Sequence, residues 1–325
     1  MQEQILMFFH EHATPFLDRT AELVTMLGEE YFFIIVISFV YWVISRKTGF
    51  KLATIFVFSS VANAVVKIAV RSPRPFEKLP ALAGKRVETA TGYSFPSGHT
   101  QGATSFFTSV AFILRRWWVT LISVIVVLAV AASRVYLEVH WPADVVGGIV
   151  LGVLIAVWLN GVIERLWETP KKLARFFYAL TTALLVIAIA LAVVDATVLK
   201  GSWKIADFFK IAGMSLGLVE GFFLQERFIR FDPAYGGVVR KAVRYIVGLA
   251  VAIGLRLVLK LLFPETVVFD YLRYAIVGLW VTYLWPLAGT ALRIFAKESA
   301  GDTAPGNGKE AGASGDTPGI GKGAR

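Results

Sequence analysis

Residues 117–144 read WWVTLISVIVVLAVAASRVYLEVHWPAD. The first eighteen are apolar except for Thr120, Ser123, Ser133 and Arg134. A helix needs about 20 mostly apolar residues to cross a bilayer, so this stretch predicts a membrane span that stops at Ser133-Arg134. His140 and Asp144 follow where the next apolar run, 143–163, begins. Polar chemistry is therefore concentrated at the junction between two spans.

The pattern repeats on either side. Lys67, then Arg74-Pro75, closes the apolar run 51–70, and Pro96-Ser97-Gly98-His99 opens the run 98–114. Further runs cover about 30–45, 177–195, 205–224, 242–263 and 271–295. The chain has 325 residues, 56% of them hydrophobic and only 17% charged. The fold class is all-α, a polytopic helical membrane protein with about nine transmembrane helices. Residues 1–29 are too polar to span and are expected as interfacial N-terminal helices. Their His10 and His12 have no partner pattern. Residues 30–200 form the expected membrane core and 201–298 additional C-terminal transmembrane helices. Residues 299–325, rich in Gly, Ala, Asp and Pro, form an expected disordered tail.

Basic residues set the orientation. Arg46, Lys47 and Lys51, then Arg115 and Arg116, then Lys171, Lys172 and Arg175, then Arg240, Lys241 and Arg244 all fall on one side of the predicted spans. The positive-inside rule makes that side cytoplasmic. The three polar clusters close even-numbered spans or open odd-numbered ones, so all three face the opposite, extracytoplasmic side of a cytoplasmic membrane. The net charge of +10 then belongs to loops beside anionic lipid. With no soluble domain left over, no nucleic-acid partner is expected. The absence of cysteine excludes disulfides, a thiolate nucleophile and Cys-ligated metal.

The clusters supply three cations, two imidazoles, a helix start and a carboxylate. Arg74 and Arg134 can grip phosphate oxygens bidentately, and Lys67 adds a point charge. Ser97 can cap a helix whose first N–H groups face an anion, and Gly98 admits close backbone approach. If the segment after His140 is helical, Asp144 shares its face and can hold one ring nitrogen. The other nitrogen is then a better nucleophile. His99 is suited to protonate a leaving oxygen. The residues alone do not decide which histidine attacks, although Asp144 favours His140. A metal site built from His99, His140 and Asp144 is disfavoured by the neighbouring cations.

Lys67-(six residues)-Arg74-Pro75, Pro96-Ser97-Gly98-His99 and Ser133-Arg134-(five residues)-His140-(three residues)-Asp144 resemble the three-part signature of the type 2 phosphatidic acid phosphatase family. Bacterial acid phosphatases and vanadium haloperoxidases share its superfamily. The resemblance covers about 60–165 and implies a phosphatase helix-bundle core. It implies His140 as nucleophile, Asp144 as its orienting carboxylate, and His99 as acid and then base. Lys67, Arg74, Ser97, Gly98 and Arg134 would bind phosphate, with no metal or other cofactor needed. The implied substrate is a membrane lipid phosphate such as undecaprenyl diphosphate, phosphatidic acid or phosphatidylglycerol phosphate. Two alternatives are a haloperoxidase-like vanadate enzyme and a non-catalytic lipid-binding or lipid-transport protein. Among the remaining loop cations, Arg71 is the best accessory phosphate contact. Lys78, Lys85 and Arg86 are expected to face solvent or headgroups, or to reach a second phosphate.

Overall fold

The computed structural model describes residues 1–298, so the tail expected at 299–325 lies outside the described residues. The helices are α1 (Gln2–Glu11), α2 (Pro15–Thr25), a 3-10 turn (Met26–Gly28), α3 (Glu30–Phe39, continued by Val40–Ile44), α4 (Arg46–Val70) and the one-turn α5 (Pro75–Lys78). They continue with α6 (Gly98–Leu114), α7 (Trp117–Tyr136), α8 (Pro142–Leu166), α9 (Pro170–Val194) and α10 (Ala206–Phe228). The last are α11 (Val238–Leu262), α12 (Val267–Leu279, continued by Trp280–Leu284) and α13 (Trp285–Ala291).

All nine expected runs are helical, but among the described residues six helices are long and apolar enough to span, plus a seventh if Pro15–Gly28 and Glu30–Ile44, bent by 47°, count as one. The two that fall short are α6 and α10. α6 has 17 residues, and α10 carries Asp207, Lys210, Glu220 and Glu226. The first half of α6 does not meet lipid. Thr100 through Phe106 of α6 are all buried, and seven consecutive residues take in every face of a helix with 3.6 residues per turn. The same holds for Gly49 through Ile55 of α4. Large apolar side chains point outward instead from the surrounding helices, among them Leu121, Ile125 and Leu128 on α7, Val150 and Leu154 on α8, and Ile253 and Leu257 on α11. That inside-out distribution fits a bilayer as solvent, and the chain is a multi-pass membrane protein.

Helix contact without a hydrophobic drive relies on small residues. A Cβ on Gly148 would stand 2.9 Å from the Ser97 carbonyl oxygen, and one on Gly152 would stand 2.7 Å from Cβ of Thr104. These two glycines, one turn apart on α8, let α6 lie against it backbone to backbone. The start of α6 is thereby brought to the start of α8, and Ser97 N–H donates to the Asp144 carbonyl at 3.0 Å. In the C-terminal helices, Gly213 and Gly217 of α10 meet backbone carbonyls of Tyr271 and Ala275 on α12 in the same way.

The N-terminal helices pack across one end of this bundle. Leu6 is buried with Leu82, Ala131, Val135 and Val145, and Ala21 with Tyr136, Leu137 and Val139. Residues 1–29 therefore cover the α7–α8 junction. At the far end Lys51 pairs with Glu164, and Arg46 with Glu226 and Glu298. α4 and α8 each have 25 residues, so the two ends stand about 37 Å apart. Within the C-terminal helices, Arg256 is held by the Tyr31 and Tyr274 hydroxyls and lies 3.6 Å from Glu30, while Lys260 is exposed.

Candidate active site

The three polar clusters meet at the end covered by residues 1–29. Arg71 takes a left-handed conformation (φ 52°) that stops α4, and the chain turns back so that Arg74 points inward beneath α5. Its guanidinium donates to the carbonyls of Thr91 (2.6 Å) and Val139 (2.8 Å) and more weakly to Gly92 (3.3 Å). Lys67 Nζ donates to the same Thr91 carbonyl at 3.1 Å. One loop carbonyl thus sets both cations, which are seven positions apart in sequence.

His140 lies just before α8, in the segment between α7 and α8, and is buried. The expectation that it shares a helical face with Asp144 needs refinement. The helix begins at Pro142, and Asp144 sits in its first turn, where its Oδ2 accepts from the Trp141 N–H at 2.9 Å. That bond turns the carboxylate back over the helix start, toward His140. The same Oδ2 accepts a hydrogen bond from the Ser94 hydroxyl and stands 3.3 Å from His140 Nδ1. A carboxylate only accepts, so Nδ1 carries the imidazole proton and Nε2 bears the lone pair. Nε2 faces Arg74 Nη1 at 3.3 Å. Burial, reinforced by Arg74, Arg134 and Lys67, pushes the His140 pKa well below the ordinary histidine value.

Ser97 caps α6, accepting from the Thr100 N–H at 3.4 Å and sharing a hydroxyl bond with Thr100 at 2.9 Å. A Cβ on Gly98 would stand 3.9 Å from Lys67 Nζ, so the glycine keeps the space before that cation open. His99 and Arg134 occupy the neighbouring side. Arg134 is fully buried and donates from Nη1 to the Thr25 hydroxyl at 2.9 Å. Arg134 Nε and Nη2 and His99 Nε2 are buried without a hydrogen-bond partner among the described residues. Buried donors left unpaired cost of order 1–3 kcal/mol each, a cost that an anion bound beside them would offset. No cluster of three His, Asp or Glu able to hold a metal ion occurs among the described residues.

The arrangement uses residues that sequence reasoning passed over. Ser94 holds Asp144. Asn63 donates to the Pro96 carbonyl and to Gln101, fixing the turn before Ser97. Asn63 stands four positions before Lys67, and an amide in an apolar span is a readable signal. Thr25 lies 109 residues from Arg134 and carries no such signal. The loop cations also behave differently from expectation. Arg71 lies over the Trp203 ring at 4.6 Å and not in the site. Lys85 pairs with Asp18, and Arg86 with Glu29, so neither is simply solvated. Lys78 is exposed and lines a cavity of about 720 Å³ that reaches Trp141 and Asp144.

Residues 209–298 match the family described as PAP2 superfamily phosphatase, transmembrane extension. The chain is similar to an undecaprenyl-diphosphatase of Sulfolobus acidocaldarius, 34% identical over 113 residues that cover 33% of this chain and 52% of that protein. It is also similar to phosphatidylglycerophosphatase B of Bacillus subtilis, 30% identical over 171 residues that cover 49% of this chain and 81% of that protein. The chain thus spans about half the length of the first relative and four fifths of the second. Among solved structures, a transmembrane PAP2-type phosphatidylglycerolphosphate phosphatase from Bacillus subtilis aligns with 26% identity and a TM-score of 0.44, over 50% of this chain and 85% of that one. Residues 48–168, from the start of α4 to the end of α8, hold all three polar clusters and match the PAP2 superfamily, the family to which this chain belongs.

Proposed function

We propose that the chain hydrolyses a membrane lipid phosphate or diphosphate through a phosphohistidine, without a metal, at the extracytoplasmic face of a cytoplasmic membrane. The observation that carries this reading is the His140 imidazole, tied to Asp144 through Nδ1 and turned toward Arg74 through Nε2. His140 Nε2 attacks phosphorus. Arg74, Arg134, Lys67 and the N–H groups at the start of α6 stabilise the charge that shifts onto the equatorial oxygens. His99 gives a proton to the departing oxygen, then takes one from the water that releases phosphate from His140. Asp144 keeps the ring oriented and balances its charge throughout.

A lipid substrate is supported by depth. The reacting groups lie at the ends of α4 and α7 and the starts of α6 and α8, which is headgroup level in a bilayer. A lipid keeps its tail among the helices while its phosphate enters, so orientation is supplied by tail binding. The polyprenyl diphosphates are the preferred class, because an extracytoplasmic site suits a carrier lipid released there.

The test is phosphate release by purified protein across lipid monophosphates, lipid diphosphates, glucose 6-phosphate and nitrophenyl phosphate in one detergent. The expected kcat/KM for the best lipid exceeds that for the soluble esters by roughly 100-fold or more. Activity should survive EDTA and be inhibited by vanadate, which mimics five-coordinate phosphorus. Equal rates on soluble esters would remove the lipid assignment, and rescue of EDTA-killed activity by one divalent ion would remove the phosphohistidine.

Orientation has its own assay, since the chain has no native cysteine. A cysteine at Ala83 should react with an impermeant thiol reagent in intact cells. One at Thr169 should react only after permeabilisation. The reverse pattern would put the site in the cytoplasm.

A further inference from the structure

The 3-10 turn Met26–Gly28 and the residues on either side of it touch three nitrogen-bearing side chains at once. Thr25 accepts from Arg134. Gly28 packs so closely on His99 that a Cβ there would stand 3.1 Å from His99 Cβ. Glu29 pairs with Arg86 through Nη2. Arg86 belongs to none of the three sequence clusters. It is placed by its own left-handed backbone (φ 60°) and by the bond from Lys85 N–H to the Leu137 carbonyl, which docks this loop on the segment leading to His140.

Arg86 shares one property with its two neighbours. Its Nε is buried without a partner among the described residues, as are His99 Nε2 and Arg134 Nε and Nη2. Four donor-capable nitrogens from three side chains are thus sealed under one short segment with nothing to bond. Glu29 holds Nη2 of the Arg86 guanidinium, and Nε of the same group is buried without a partner among the described residues. Of the other two cations that sequence reasoning considered for a second phosphate, Lys85 is spent on Asp18 and on the Tyr136 ring, and Lys78 is exposed on the side of Trp141.

Resting on the phosphatase reading above, we infer that Arg86, held under the same short segment as Arg134 and His99, is a second anion contact that takes the lipid-bearing phosphate of a diphosphate substrate. The terminal phosphate then sits among His140, Arg74 and Arg134. Nε2 of His140 bonds to the terminal phosphorus, and the bond from that phosphorus to the bridging oxygen breaks. The electron pair leaves on the lipid monophosphate, whose new charge lies against Arg86. Water later displaces the His140 nitrogen to give orthophosphate. A monophosphate leaves an alcohol at that position and gains nothing from Arg86, so Arg86 determines specificity.

The test compares a prenyl diphosphate with the prenyl monophosphate of the same chain length, in one detergent, for the wild type, Arg86→Gln, Arg86→Lys and Glu29→Gln. The diphosphate-to-monophosphate ratio of kcat/KM should fall about 30-fold in Arg86→Gln, the loss expected for a charge-assisted hydrogen bond. It should fall less in Arg86→Lys, which keeps the charge without the fork, and several-fold in Glu29→Gln. Inhibition by methylenediphosphonate should weaken with that ratio, while inhibition by orthophosphate should not. A common fall on both substrates would show that the Arg86–Glu29 pair is only a latch and overturn the subsite, as would an unchanged ratio. A wild type active on the monophosphate alone overturns the subsite and leaves the phosphatase reading standing. If neither lipid is hydrolysed the phosphatase reading fails first. The subsite is then decided by whether Arg86→Gln loses the thermal stabilisation given by the diphosphonate.

Discussion

Replacing His140 with alanine is expected to lower turnover by about 10⁴-fold or more and to abolish acid-labile phosphoenzyme in a rapid quench. The imidazole is buried and tied through Nδ1, with Arg74, Arg134 and Lys67 as the nearby cations, whereas the other carboxylate-held histidine at this end, His10 paired with Glu138, is exposed on α1. Asp144→Asn should cost roughly 10²–10⁴, because the amide can present its N–H to Nδ1 and favour the wrong tautomer. The pH profile carries the same signature. Attack needs the neutral ring, and the His140 pKa is pushed down by burial and by those cations. The acid limb of kcat/KM, which reports the free protein, should therefore lie below the ordinary histidine value of about 6.5. Persistence of phosphoenzyme in His140→Ala would move the nucleophile elsewhere.

The site was legible to the extent that it broke the apolar pattern. Lys67, Arg74, His99, Arg134, His140 and Asp144 stand at ends of apolar runs, and alternation of the runs puts those ends on one side. The structure gathers them at one end of the bundle. What stayed illegible depends on contacts distant in sequence. Glu29 finds Arg86 57 residues away, and Thr25 finds Arg134 109 away. Nothing local marks either, because a single exposed-looking carboxylate or hydroxyl in a polar N-terminal segment reads as surface. The span count blurred for a related reason. The first half of α6 is sheathed by other helices, so its sequence need not be as apolar as that of α7 or α8. Composition alone gives no sign of which helices are central. The Gly148 and Gly152 pair, one turn apart, was a readable sign that α8 has a close neighbour. It identifies that neighbour only once Ser97 and Thr104 are seen against it.

The loss caused by His99→Ala should depend on what leaves. His99 Nε2 is buried without a partner among the described residues and stands apart from the Asp144–His140 pair, on the side of Arg134 and the 3-10 turn. A nitrogen placed there is of use to an oxygen departing from phosphorus. A lipid alcohol is a poor leaving group unless it is protonated as the bond breaks, so hydrolysis of a lipid monophosphate should fall by roughly 10²–10⁴ in His99→Ala. Nitrophenolate departs without a proton, so formation of the phosphoenzyme from nitrophenyl phosphate should fall about tenfold or less. The phosphoenzyme should then accumulate, because the water that attacks it loses its base. A lipid diphosphate should lie between the two, since its leaving group is already an anion and Arg86 is placed to receive it. Equal losses on all three substrates would mean that His99 only shapes the pocket.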